Sequence, residues 1–196
     1  MMERTAVVTR NTKETEIQIS LNLDGSGNAD IQTGIGFFDH MLNSFARHGF
    51  FDLTVKVKGD LEVDNHHTIE DTGIVLGQAI KQAVGDKKGI VRYGSQILPM
   101  DESLVLCALD LCGRPYLVYD LDLDREKVGD LETEMVREFF YAISYAAEMN
   151  LHIRQMAGMN NHHIIEAAFK AFAKALDSAV AAEPRLTGVL STKGSL

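Results

Sequence analysis

The sequence predicts an α+β protein, a two-layer α/β sandwich made by internal duplication of one β-β-β-α-β-α unit. Three observations carry that expectation. Alternating segments such as Thr15-Glu16-Ile17-Gln18-Ile19-Ser20-Leu21-Asn22-Leu23 are interleaved with stretches of helical period, such as the one holding Phe38, Met41, Leu42 and Phe45. The pattern His-His-x-x-Glu occurs twice, as His66-His67 with Glu70 and as His162-His163 with Glu166, each opening an apolar helical run. The halves also align residue by residue: with Asp39-His40 set against Arg137-Glu138, Leu53-Thr54-Val55 falls on Leu151-His152-Ile153 without a gap. The repeats are expected at residues 1–88 and 89–196, fused as one compact unit long enough for a proper core.

Taken in order, residues 5–10 are β-branched and alternating, a strand, and residues 15–23 are a second. Asp24-Gly25-Ser26-Gly27 reads as a hairpin turn returning residues 29–33 as the third strand. Helical period runs over 34–48, with Gly49 as its C-terminal cap. A strand at 51–57 and a Gly59-Asp60 turn lead into a helix over 66–84, ended by Gly85. The pattern then restarts. Strands are expected at 90–100, 103–111 and 116–121, with a Cys112-Gly113-Arg114-Pro115 turn between the last two. A helix over 132–149, a strand over 151–156 and a helix over 162–182, stopped before Pro184, complete the second unit.

The composition is that of a globular chain, 45% apolar and 24% charged. A net charge of -9 without a basic block argues against nucleic acid or anionic membrane as a partner. No run approaches a membrane span, and Met1-Met2-Glu3-Arg4 lacks the apolar stretch of a leader. Cys107 and Cys112 fall in one apolar strand-like run and would face opposite sides, so reduced buried thiols and a cytoplasmic location are expected.

The doubled motif has a chemical reading. Residues four apart share a helix face, so His66 with Glu70, and His162 with Glu166, can each grip one ion. A neighbouring residue is turned by about 100°, which sends His67 and His163 elsewhere. The simplest use for them is a different metal. A two-metal site with exchanged ligands follows: His66, Glu70 and His163 on one ion, His162, Glu166 and His67 on the other. The repeat alignment adds His40 to the second set and its counterpart Glu138 to the first. His152 is the rival for Glu138's place, ranked lower because Thr54 sits opposite it in the repeat. Mixed nitrogen and oxygen ligands with open positions favour Mn2+ or Fe2+ over a closed structural Zn2+. Doubled histidines that merely open two helices are the plainer alternative. Two of them in register, in a chain with seven histidines, favour the metal reading.

Asp39-His40-Met41-Leu42 with His48-Gly49, Asp64-x-His66-His67-Thr68-x-Glu70-Asp71, Asn161-His162-His163-x-x-Glu166-x-x-Phe169-Lys170-Ala171 and Ser191-Thr192-Lys193-Gly194 together resemble imidazoleglycerol-phosphate dehydratase over essentially the whole chain. The resemblance implies a duplicated fold of the ribosomal protein S5 domain 2-like type. It implies a homo-oligomer of 24 subunits with active sites between subunits, and two Mn2+ per active site. It further implies a small phosphorylated imidazole substrate, dehydrated on the way to histidine through an imidazolate held by the metals. Glu14 matches the family's acid/base position and a substrate-binding one. Read from the residues alone, it is a solvated charge before a strand. The phosphate positions match Arg92, Arg114, Ser191 and Lys193. Of these, Arg114, wedged between Gly113 and Pro115, is the best candidate on physical grounds. Three departures from the family pattern are Leu190 where a proline is usual, Glu138 where some members have histidine, and Asn65 where aspartate is frequent.

Overall fold

Alternation and helical period resolve into two units of the same order in the computed structural model, which describes residues 4–196. Of the N-terminal stretch considered above, Met1, Met2 and Glu3 lie outside the described residues. The first unit comprises β1 (Thr5–Asn11), β2 (Thr15–Asn22), β3 (Ala29–Gln32), α1 (Gly36–Gly49), β4 (Asp52–Gly59) and α2 (His66–Val84). The second comprises β5 (Tyr93–Met100), β6 (Ser103–Asp110), β7 (Tyr116–Asp120), the short pair β8 (Lys127–Val128) and β9 (Leu131–Glu132), α3 (Glu134–Ala146), β10 (Asn150–Ala157) and α4 (Asn161–Val180). Strand orders are β1-β2-β4-β3 and β5-β6-β10-β7, the same topology twice. Leu21 pairs with Leu53 in the first sheet and Leu109 with Leu151 in the second, so the sequence alignment of Leu53 on Leu151 recurs in space.

The helices fill the space between the sheets. Ile17, Ile19 and Leu21 on one sheet, and Val105, Cys107 and Leu109 on the other, turn inward and are buried. α1 packs on α4 and α2 on α3, and one apolar core runs through both units. Its centre is aromatic. Phe139 stacks on Phe169 at 5.2 Å, Phe45 on Phe172 at 5.4 Å, and Phe38 meets Phe139 edge-on at 5.3 Å. These contacts tie α1, α3 and α4 together. α2 approaches α3 differently, through glycines: a Cβ on Gly77 would lie 2.7 Å from the Ala146 Cβ and 2.8 Å from the Ile143 carbonyl oxygen.

Three expectations change. Asp24 to Gly27 is not a hairpin turn. Asp52 Oδ1 accepts from the Ser26 and Asn28 amides, both at 2.9 Å, which pins the segment across the start of β4. β3 is thereby carried past β4 to the sheet edge and pairs with it in parallel. Secondly, the left-handed residue closing α1 is Phe50 at φ 58, not Gly49. Gly49 is used for space, since a Cβ there would strike the Phe51 ring. Thirdly, β6 ends at Asp110, so Cys112 lies beyond the strand that holds Cys107; both thiols are free and buried.

The α2–α3 approach is testable. Gly77→Val should lower stability by about 1–3 kcal/mol, the range for overpacking a filled interface, read as a shift of the denaturant midpoint. An unchanged midpoint would mean that the two helices separate without loss.

Candidate metal centre and phosphate pocket

α1 and α4 bring two imidazoles onto one carboxylate. Asn160 caps α4, its side-chain oxygen accepting from the His162 amide at 2.9 Å, and this sets the first turn. From that turn the His162 Nε2 lies 3.1 Å from Glu166 Oε2, and His40 Nε2, from α1, lies 3.2 Å from the same oxygen. The other oxygen, Oε1, takes the Lys170 ammonium at 2.6 Å. His40, His162 and Glu166 form the one group of three such donors within 4.8 Å of each other among the described residues. The donor set suits a divalent ion: bonds of about 2.1 Å at right angles put neighbouring donor atoms about 3.0 Å apart, close to the two nitrogen-to-carboxylate separations here. Glu166 is 7% exposed. Burial opposes its ionisation, but Lys170 and the two imidazoles outweigh burial and hold its carboxyl below the usual range.

The second histidine of each motif turns away, as the helix requires. Rings of His66 and His67 lie at 79° to each other, and so do those of His162 and His163. Each second histidine meets a carboxylate through Nδ1: His67 meets Asp60 at 3.0 Å, and His163 meets Glu102 at 2.7 Å. That leaves Nε2 facing a further carboxylate, Glu14 at 3.8 Å from His67 and Asp101 at 3.6 Å from His163. A carboxylate on Nδ1 fixes the tautomer that a metal-binding Nε2 needs. Glu14 Oε1 lies 3.8 Å from His67 Nε2, and its own amide donates to Thr12 Oγ1 at 3.0 Å. His66 and Glu70 stand 3.8 Å apart and half-exposed.

The four residues expected to hold phosphate share one cavity. Arg92, Arg114, Ser191 and Lys193 line a space of about 670 Å3. Arg92 is nearly buried and grips Asp110 through Nε at 2.6 Å and Nη2 at 2.9 Å, while Nη1 donates to the Leu190 carbonyl at 2.6 Å. It thus anchors the segment that carries Ser191 and Lys193. Arg114 is exposed at the cavity wall.

A family model for imidazoleglycerol-phosphate dehydratase matches residues 33–176. The chain belongs to the imidazoleglycerol-phosphate dehydratase family. It is therefore an enzyme, a dehydratase. Relatives called imidazoleglycerol-phosphate dehydratase include that of Lachnoclostridium phytofermentans, 70% identical over the full length of both chains. That of Acetivibrio thermocellus is 62% identical, again over the full length of both. Among solved structures, the imidazoleglycerol-phosphate dehydratase of Staphylococcus aureus is 42% identical with a TM-score of 0.83, covering 91% of this chain and 99% of that one. The Pyrococcus furiosus IGPD in complex with (S)-C348 is 34% identical with a TM-score of 0.84, covering 96% and 100%.

Set against this family, one chain gathers only part of the expected dehydratase ligand set. His67, His66, Glu70, His163 and Glu138 stand outside the His40–His162–Glu166 group. Glu138, on α3, takes Arg137 Nη1 at 3.0 Å. His152, between the buried Leu151 and Ile153 of β10, points to the outer face of the sheet, away from the helices. Sequence reasoning missed Asp60, Glu102 and Lys170. Duplication could have found Glu102: it precedes β6 as Glu14 precedes β2, and each faces the second histidine of its own repeat. Asp60 reads only as a turn residue, and Lys170 has Ile74 as its counterpart.

The carboxylate contacts predict a pH signature in metal-free protein. The hydrogen bond to Asp60 raises the His67 pKa, and that to Glu102 raises His163. Folding raises both, so the stability they add is complete below about pH 6.5 and is lost as pH rises through the folded values. Asp60→Asn and Glu102→Gln should each return one imidazole toward its ordinary value in a ring-proton NMR titration, and flatten the pH dependence of melting. Unchanged titration curves would uncouple these carboxylates from the imidazoles.

Proposed function

We propose that the chain dehydrates D-erythro-1-(imidazol-4-yl)glycerol 3-phosphate to 3-(imidazol-4-yl)-2-oxopropyl phosphate, a step of histidine biosynthesis, in the cytoplasm and with two Mn2+ per active site. The observation that carries the metal reading is the His40–His162–Glu166 group around a buried, ionised carboxylate. In this reading His67 joins that group, and His66, Glu70, His163 and Glu138 hold the second ion. When bound, the ions supply Lewis-acid charge at the imidazole ring. Glu14, beside His67 Nε2, takes the proton from the carbon next to the one that loses hydroxyl. The resulting enol becomes the ketone. Arg114, Ser191 and Lys193 hold the phosphate, and Arg92 positions their segment.

The same geometry argues for a homo-oligomer, which the family resemblance sets at 24 subunits. The Arg92 amide donates to the Ala179 carbonyl near the end of α4, whereas His162 lies in its first turn. At 1.5 Å per residue those ends are about 25 Å apart. A substrate of this size cannot span them within one chain, so the metal group of one subunit has to meet the phosphate pocket of another. The outer sheet faces support assembly. Across the first sheet a row reads Thr9, Gln18, Lys56, Gln32. The equivalent row of the second reads Ile97, Leu106, Arg154, Asp120, and Tyr93, Tyr116 and Val118 are also exposed on that sheet. We take the repeat boundary to lie between residues 88 and 89.

Mn2+-loaded protein given imidazole-glycerol phosphate should form the ketone. Phosphate release without ketone would favour a dinuclear hydrolase instead. Glu14→Gln should cut turnover by about 10²–10⁴ while mass and metal content stay unchanged; retained turnover would remove Glu14 from the proton transfer. Since ligation needs neutral imidazoles and nearby carboxylates raise the pKa of His67 and His163, metal content and activity should fall together as pH drops below about 6.5. Full metal content at pH 5 with activity lost would assign the titration to another group.

A further inference from the structure

One loop of the second unit reaches the starts of the helices that carry the metal-centre side chains. Between β7 and α3 the chain runs through residues 121–133, whereas between the equivalent β3 and α1 it needs only 33–35. Part of the added length folds on itself as the β8–β9 pair, and the rest reaches other elements. Asp130 accepts from the first amides of α1, Gly36 at 2.6 Å and Phe37 at 3.0 Å. Ile35, at the N-cap position, offers no side-chain bond, so α1 takes its cap from the other repeat. Asn65, immediately before His66, donates to the Asp130 carbonyl at 2.7 Å and also to the Glu132 carboxylate. Asn161, immediately before His162 and almost fully buried, donates to Asp124 Oδ1 at 2.9 Å and accepts from the Arg125 amide at 3.0 Å. The loop closes on itself where Thr133 Oγ1 donates to the Arg125 carbonyl at 2.5 Å, and α3 starts from there.

We propose that residues 121–133 are a positioning clamp for the metal centre, in which Asp124 and Asp130 register the starts of α1, α2 and α4 against one another. The proposal rests on the metal reading above. The argument is geometric. His40, His66 and His162 sit on three helices; the starts of α1 and α4 also meet where the Phe37 ring lies edge-on to His162 at 5.0 Å, but this segment's polar groups bond the starts of all three. Metal donors must be held to within about 0.5 Å, and a helix that slides along its axis moves its first-turn side chains with it. The cross-repeat bonds oppose that sliding. A loop that served only to join β7 to α3 would not need acceptors aimed at three other helices.

The test uses full-length Asp130→Ala, Asp130→Asn and Asp124→Ala, with Glu126→Gln, an exposed change in the same loop, as control. Mn2+ affinity is read from the free-ion EPR signal, the bound-ion spectrum reports the ligand geometry, and melting of metal-free protein reports the fold. The clamp predicts about tenfold weaker Mn2+ binding and a broadened bound spectrum in Asp130→Ala and Asp124→Ala. Partial recovery is expected in Asp130→Asn, whose amide oxygen still accepts, and no change in the control. Affinity within twofold of the parent in Asp124→Ala and Asp130→Asn, with melting lowered, would overturn the clamp and leave a purely structural loop, whatever Asp130→Ala does. Failure of the parent chain to bind Mn2+ would overturn the metal reading and the clamp together.

Discussion

Glu166 sets the terms for much of this molecule. A carboxylate this deep costs several kcal/mol to ionise unless opposite charge and hydrogen-bond donors meet it. Lys170, one turn along the same helix, supplies the charge at 2.6 Å. The remaining partner oxygen is shared by His162 and His40, and His40 comes from the other repeat. α1 therefore has to lie against α4. The stacking of Phe45 on Phe172 holds it there, so the packing that fills the centre also assembles the donor group. Separating the repeats would expose the aromatic core and strip the carboxylate at once.

Duplication copied the frame and let its contents diverge. Lys170 stands where the first repeat has Ile74, so Glu70 has no cation one turn away and remains half-exposed, 3.8 Å from His66. Phe169 and Ala173 stand where the first repeat has Gly73 and Gly77. α4 consequently fills the centre with an aromatic ring, and α2 closes on α3 backbone to side chain. The His40–His162–Glu166 group is tight and organised by its own chain, whereas His66 and Glu70 remain open.

Much of this was legible because periodicity and register are local properties. His66–Val84 has the bounds read from the sequence, and α4 differs from its reading by a residue or two. The repeat alignment placed Leu53 on Leu151 correctly because neither intervening segment, from α1 to β4 or from α3 to β10, contains an insertion. Asp24 to Gly27 misled because glycine-rich turns signal a reversal without saying which strand the chain will join. The Asp52 side chain decides that, and it lies 26 and 24 residues along the chain from the Ser26 and Asn28 amides it holds. Of the site, His40, His162 and Glu166 were legible from spacing and duplication together. Asp60, Asp124 and Asp130 were not, since an acid in a polar loop looks the same whether it faces water or a helix start.

The position of the two half-sites on α4 argues most strongly about how the molecule works. A helix of 20 residues separates the turn that carries His162 from the end that abuts Arg92. One end carries the His40–His162–Glu166 group and the other meets the cavity lined by Arg92, and a single chain keeps the two apart. The sheet faces diverge in the same direction: the first repeat keeps Gln18 and Lys56 outward, while the second has acquired Leu106 beside Ile97. Apolar exposure of that kind is disfavoured in a chain that remains alone. A monomer would thus keep the two ends apart and leave that sheet uncovered. On the assembly proposed above, docking the start of one α4 near the end of another would bring the two polar ends together.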